Sequence, residues 1–253
     1  MKQKITNHFT SPTMMEPLVD TTSTADDFFE KLEKETIEIV METPLIYQFD
    51  RLNDKQLQIF AQQFYYYGYH FPRFLGIIIW RSFDDKIRSS VASNLIDELG
   101  IISSENIDPE QSHINVFIQF AKAVGLNEAD LKNSCPRDYT RETLNKIENL
   151  LVHAPFMEAM GCMSPGLENA LSHYSYNIYK GLQNQHRFTE ESLYHFKLHS
   201  VLDKEHGNNL KQSLLPHLKE SKINRELLRK GALTAAKAQR DFFNGLQKDF
   251  SLL

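Results

Sequence analysis

Apolar and polar positions alternate at helical spacing along nearly the whole chain. In "TADDFFEKLEKETIEIVMETP", Thr24 or Asp26 can cap the first turn, Phe28, Leu32, Ile39 and Val40 repeat on an apolar face, and Pro44 follows the end. "NDKQLQIFAQQFYYYGYHFPRFLGIIIWRSF" predicts a long aromatic helix with a bend near Pro72. "DDKIRSSVASNLIDELG" and "HINVFIQFAKAVGL" are two further helices, closed by Gly100 and Gly125, with a polar loop "IISSENIDPEQS" between them. "TRETLNKIENLLVHA" opens on a capping-box-like pattern, "SPGLENALSHYSYNIYKGL" begins after Pro165, and "TEESLYHFKLHSVLDKEHGNNLKQSLLPHL" begins at a Thr-Glu-Glu cap. "INRELLRKGALTAAKAQRDFFNGLQKDF" is the last amphipathic segment. No strand-like alternation stands out. The expectation is an all-α fold of roughly seven to nine helices around one core. Residues 1–24, polar and without period, are expected to be a flexible tail, and 25–253 the domain.

Composition narrows the function classes. With 41% hydrophobic residues, including 17 Phe and 10 Tyr, the chain of 253 residues can bury a large core. The net charge of −5 and the lack of a basic tract argue against a nucleic-acid partner. The apolar run "FLGIIIW" is too short to span a bilayer, so no membrane partner is expected. The first twenty residues contain no continuous apolar stretch of the secretory kind, and Cys135 and Cys162 make no disulfide framework. A cytoplasmic location follows as an expectation; a homodimer is compatible with the size.

Candidate chemistry begins at "HSVLDKEH". His199, Asp203 and His206 stand at i, i+4 and i+7, within about 60° of one another around a helix. Two imidazoles and a carboxylate on one stripe suit a transition metal, or form a structural hydrogen-bonded cluster. Leu198, Val201, Leu202 and Leu210 suggest that this helix is partly buried, with Glu205 off the stripe. In "NLIDELG", Glu98 continues the apolar positions Ile87, Val91 and Leu95. His113 opens the next helix three residues after Glu110, with Asp108 or Ser112 as its cap. Glu168 falls in the first turn of a later helix, where an acid is favoured in any case. Glu158 is an alternative acid in apolar surroundings, and His173 lies too far round the helix from Glu168 to share its direction. Carboxylates and imidazoles carried on four helices are how helical bundles build dinuclear iron or manganese sites.

The order "FYYYGYHFPRFLGIII", "NLIDELG", "DPEQSH", "GLENAL", "HSVLDKEH" resembles the heme-oxygenase-like diiron oxidase family, within the wider TenA-like and pyrroloquinoline-quinone-synthesis-like group. The resemblance covers roughly Phe28 to Leu218 and implies a single-domain heme-oxygenase-like bundle. It implies two iron ions, with manganese possible, and dioxygen as co-substrate. The ligands it implies are Glu98, His113, Glu168, His199, Asp203 and His206, with Glu105 or Glu110 as substitutes for Glu98 and His70 as an outer support. The implied activity is oxidation of a small organic, amino-acid- or fatty-acid-like substrate. Tyr66, Tyr67, Phe71 and Trp80 are candidates for a substrate pocket, and Tyr174, Tyr176 and Tyr179 follow Glu168. The alternatives are a metal-independent TenA-like cofactor-pathway enzyme and a non-catalytic helical binding protein. Thiaminase-like members of the wider group use a cysteine, but Cys135 and Cys162 read as structural thiols, and His8 is poorly placed for a haem.

Overall fold

The computed structural model describes residues 23–103 and 105–252. The expected tail and His8 lie outside this range except for Ser23 and Thr24. The long helices are α1 (Ala25–Met41), α2 (Asp54–Arg81), α3 (Asp85–Glu98), α4 (His113–Ala123), α6 (Asp138–His153), α8 (Glu168–Asn184), α9 (Tyr194–Leu218) and α10 (Lys222–Phe250). The short helices α5 (Glu128–Lys132) and α7 (Phe156–Gly161) complete the bundle. None of the described helices is long and apolar enough to cross a membrane.

Local chemistry explains most boundaries. Thr24 caps α1: its hydroxyl accepts from the Asp27 amide at 3.1 Å, and the Asp27 carboxylate reaches back to Thr24. Asn53 and Gln56 form the same reciprocal box at the start of α2. The α2 helix runs unbroken through Pro72. Asp84 caps α3 through the Lys86 and Ile87 amides. Gly100, at φ +70°, ends α3; a Cβ there would lie 2.4 Å from the Asp108 carbonyl oxygen.

Three segments depart from expectation. The loop after Gly100 contains a small antiparallel hairpin, Ile101–Ser103 with Asn106–Ile107, then a 3-10 turn, Pro109–Gln111, capped by Asp108. Ser112 occupies the N-cap position of α4 without a side-chain bond. The α6 helix starts at Asp138, ahead of the capping pattern read at Thr140. The α9 helix starts at Tyr194, because the Thr189 hydroxyl and carbonyl hold Ser192 in a preceding turn.

An aromatic core joins the helices that carry the polar cluster. Phe60 and Phe64 of α2, Phe117 and Phe120 of α4 and Phe196 of α9 are buried together, with Phe120 and Phe196 centroids 5.1 Å apart and Phe64 and Phe117 5.4 Å apart. Each such ring contributes about 1.5–3 kcal/mol by leaving water. On the other side, α10 packs along α7, where Gly231 and Gly161 allow backbone-to-backbone approach.

A Cβ at Gly231 would lie 1.8 Å from the Glu158 carbonyl oxygen, whereas one at Gly76 in α2 meets nothing within 4 Å. Gly231→Ala is therefore expected to lower stability by at least about 1–3 kcal/mol in urea denaturation. Gly76→Ala is expected to raise it by about 0.5–1 kcal/mol.

Candidate metal centre

The α9 helix inverts the usual burial rule. His195, His199, Asp203 and His206 are buried along one stripe that ends at Leu210, while apolar Val201 is 69% exposed. This stripe faces α8, α3 and α4. From α3, Ile87, Val91, Asn94 and Glu98 point inward, with Leu95 at the edge of that face. His113 is the first residue of α4 and Glu168 the first of α8, each directed into the same space. Immediately before Glu168, the irregular segment Cys162–Leu167 breaks the α7–α8 connection and sets where α8 begins.

All six expected residues come together, in two groups. Glu98, His113 and His199 each offer a donor atom within 4.8 Å of the others, and so do Glu168, Asp203 and His206. Glu168 and Asp203 are 0% and 1% exposed, so neither charge is relieved by water. His113 Nδ1 is 2.8 Å from Glu98 Oε1. His199 Nδ1 lies 3.0 and 3.1 Å from the two Asp203 oxygens, joining the groups. His206 Nδ1 is 4.0 Å from Glu168 Oε2 and 3.9 Å from Asp203 Oδ1.

Electrostatics separates the carboxyls. Burial works to raise the Glu98 carboxyl, but His113, then His199 and His206, outweigh it and hold the group below its ordinary value. Burial pushes Glu168 well up, and Asp203 and Glu98 push it further; a hydrogen bond from Asn94 Nδ2 at 3.0 Å only partly offsets this. Burial, then Glu98, pushes Asp203 well up. Burial also lowers His195, His199 and His206 towards neutral rings, the Asp97 and Glu98 carboxylates opposing it at His206.

Three participants had no role in the expected ligand set. Asn94 holds Glu168 Oε1 at 3.0 Å, and Asp97 lies 3.0 Å from His206 Nε2. His195 extends the stripe by one turn: its Nδ1 is 3.1 Å from the His113 carbonyl oxygen, and its ring centroid is 4.5 Å from that of His199. The i−4 spacing of His195 from His199, and of Asn94 from Glu98, was the available signal.

Other candidates fall away from the cluster. Glu105 and Glu110 are exposed, and α4 begins too late to align Glu110 with His113. Glu158 is buried but paired with Lys230 at 3.0 Å. His173 is exposed and bonded to the Asn169 carbonyl. His70 packs between Tyr69 and Phe74, and among the described residues it bonds to none of the six. Cys162 is buried, which pushes its thiol far up and leaves it a poor nucleophile; Cys135 is exposed.

A narrow cavity of about 20 Å³ touches the first group, lined by Phe64, Tyr67, Phe71, Ile114, Leu171 and His195. Of the aromatics anticipated there, Tyr67 and Phe71 line it, Tyr66 is tied to the Ser134 carbonyl, and Trp80 is 81% exposed at another cleft. Tyr174 is buried, and the Tyr67 hydroxyl donates to Gln239 Oε1 at 3.4 Å. Tyr176 is exposed, and Tyr179 donates to Glu190.

An all-helical bundle with buried carboxylates and imidazoles converging from four helices is the class that this fold and site define. The family model for iron-containing redox enzymes matches residues 58–240, and the chain belongs to that family. It is 24% identical over 166 residues, 65% of its own length, to 4-chloro-allylglycine synthase of Streptantibioticus cattleyicolor. It is 34% identical over 83 residues, 33% of its length, to 4-aminobenzoate synthase of Chlamydia pneumoniae. The chain spans 60% and 34% of the lengths of these two relatives. Its fold is similar to that of a TenA homolog from Pseudomonas syringae pv. tomato, with TM-score 0.74, 14% identity and 92% and 98% of the two chains covered. It is also similar to a domain with a heme oxygenase-like fold from Shewanella denitrificans, with TM-score 0.72, 15% identity and 93% and 95% covered.

The folded metal-free protein holds protons on Glu168 and Asp203 at pH values where the unfolded chain has lost them. Its stability therefore falls as pH rises above the ordinary carboxylate range, while the lowered imidazoles remove stability as pH falls through about 6.5. Asp203→Asn, which keeps an acceptor for His199 and removes the charge, is expected to raise the unfolding temperature of chelator-treated protein near pH 8. Calorimetry of both proteins checks this.

Proposed function

We propose that the chain is a nonhaem dinuclear iron oxidase or oxygenase acting on a small organic substrate beside the two residue groups. The observation that carries the reading is the burial of two complete donor triads side by side, with α9 contributing to both. The donor set fits hard or borderline cations such as iron or manganese: carboxylate oxygens and imidazole nitrogens, with no thiolate in either triad. Two details support this fit. Glu168 Oε2 is buried and has no hydrogen-bond partner among the described residues. The gaps of 3.9–4.0 Å from His206 Nδ1 to its two carboxylates are wider than hydrogen bonds, and wide enough to admit a cation bonded at about 2.0–2.2 Å to each.

Glu98, His113 and His199 would hold one ion, and Glu168, Asp203 and His206 the other. When bound, iron supplies the binding and reduction of dioxygen, which no side chain of the protein can perform. The chain's own residues do the rest. Asn94 fixes the Glu168 carboxylate by donating to Oε1, which leaves Oε2 directed at the second triad. The Phe64, Tyr67, Phe71, Ile114 and Leu171 wall keeps bulk water from the first triad, since the space it leaves is about 20 Å³, room for one water-sized molecule. An organic substrate has to displace part of that wall and meets an apolar surface there.

His195 supplies the polar contact in this wall. His195 lines the cavity. A carbonyl oxygen only accepts, so His195 Nδ1 carries the hydrogen donated to His113, and Nε2 is left as an acceptor. That arrangement orients a substrate amine or hydroxyl. The names of the two relatives, one for an amino acid and one for an aromatic amine, support an amino-acid-like substrate class over a fatty acid. The metal-independent alternative would need an activated cysteine at the site, and neither cysteine lines the cavity or joins the cluster: Cys162 is buried with its thiol pushed up, and Cys135 is exposed elsewhere.

Metal-free protein offered Fe(II) without oxygen is expected to take up about two equivalents, and to consume oxygen on exposure to air. His206→Ala should lower the uptake while leaving helix content by circular dichroism nearly unchanged. Protein that takes up no iron, or His206→Ala protein that loads as fully as wild type, would contradict the reading.

A further inference from the structure

His206 uses both ring nitrogens. Nδ1 faces Glu168 and Asp203 at 4.0 and 3.9 Å, while Nε2 lies 3.0 Å from Asp97 Oδ2. A carboxylate can only accept, so a neutral His206 bound this way carries its hydrogen on Nε2 and its lone pair on Nδ1. The nitrogen left free to bind is therefore the one that faces the second triad.

We infer that Asp97 is a positioning residue: it fixes the tautomer and ring orientation of His206 so that Nδ1 is the metal-binding atom. The inference rests on reading the two triads as a metal centre. Asp97 and Glu98 are consecutive in the last turn of α3, about 100° apart around its axis. Glu98 turns into the first triad, while Asp97 turns towards α9 and bonds the edge of His206 that faces away from the carboxylates. Its side chain is 42% exposed and that of His206 4%, so the bond runs from solvent to a buried ring. Without Asp97 the ring is free to flip, or to carry its hydrogen on Nδ1 and donate it to Asp203 or Glu168. Either change removes one of three donors from the second triad and leaves the first triad as it was.

A bond that served only to tie α3 to α9 makes a different forecast. Its loss would weaken the metal-free fold and would leave metal affinity alone, or reduce it equally at both triads.

The test is an anaerobic Co(II) titration of metal-free wild type, Asp97→Ala and Asp97→Asn, followed by the visible absorption of bound cobalt. Unfolding of each metal-free protein is measured in parallel. Asp97→Ala is expected to weaken one of two binding steps by about 10–100-fold and to alter the spectrum of that step only. Asp97→Asn, which retains an acceptor oxygen, should recover part of the loss. The metal-free unfolding midpoints should stay close, because the Asp97 carboxylate is half-exposed and water can take its place on His206 Nε2. Wild-type-like binding in Asp97→Ala, or equal weakening of both steps with a lowered metal-free midpoint, overturns the inference. Wild-type protein that takes up no cobalt overturns the metal reading itself and this inference with it.

Discussion

The structure depends on keeping three carboxyls and four imidazoles out of water in one small volume. Glu98, Glu168 and Asp203 are all buried, and each raises the cost of ionising another. Without a cation, the cluster is relieved by neutral rings, by protons on Glu168 and Asp203, and by hydrogen bonds such as Glu98–His113. A pair of dications would replace the carboxyl protons and the hydrogen bonds with direct charge compensation, and would bind the rings in the same neutral form. The surrounding aromatic core explains why the cluster does not simply open to solvent. Phe60, Phe64, Phe117, Phe120 and Phe196 clamp α2, α4 and α9 together, so separating the polar groups would expose these rings as well.

Helical spacing made the helix-rich fold legible, because α1, α2 and α10 carry capped apolar stripes that packing then uses. The donors were legible in part for the same reason. His199, Asp203 and His206 had to share a stripe wherever α9 lay, and Glu98 had to follow the inward side of α3. That Glu168 and His113 meet them is a tertiary fact; only the resemblance of motif order reached it. The apolar neighbours imply that α9 is partly buried, and it is, but they do not say which face is inside: Val201 is exposed and the polar stripe buried. Hydrophobic pattern misleads on a helix whose inner face is built from ligand-type residues, since the polar groups satisfy one another there.

The supporting residues were hidden for a related reason. Asn94, Asp97 and His195 are ordinary polar positions on helices until α8, α9 and α4 come alongside, and their partners lie 74, 109 and 82 residues away in the chain. The hairpin after Gly100 was missed because its two strands, three and two residues long, are too short to show alternation. Its Asp108 amide bonds the Gly100 carbonyl at 3.0 Å, which returns the chain beside the end of α3 and helps bring His113 to Glu98 despite fifteen intervening steps.

The most direct test of the account is anomalous diffraction from crystals loaded with Mn(II) without oxygen. The account predicts two peaks, one enclosed by Glu98, His113 and His199 and the other by Glu168, Asp203 and His206, with the Glu98–His113 hydrogen bond broken. A cluster that keeps that bond and shows no peak, or a metal held only by surface carboxylates, would contradict it.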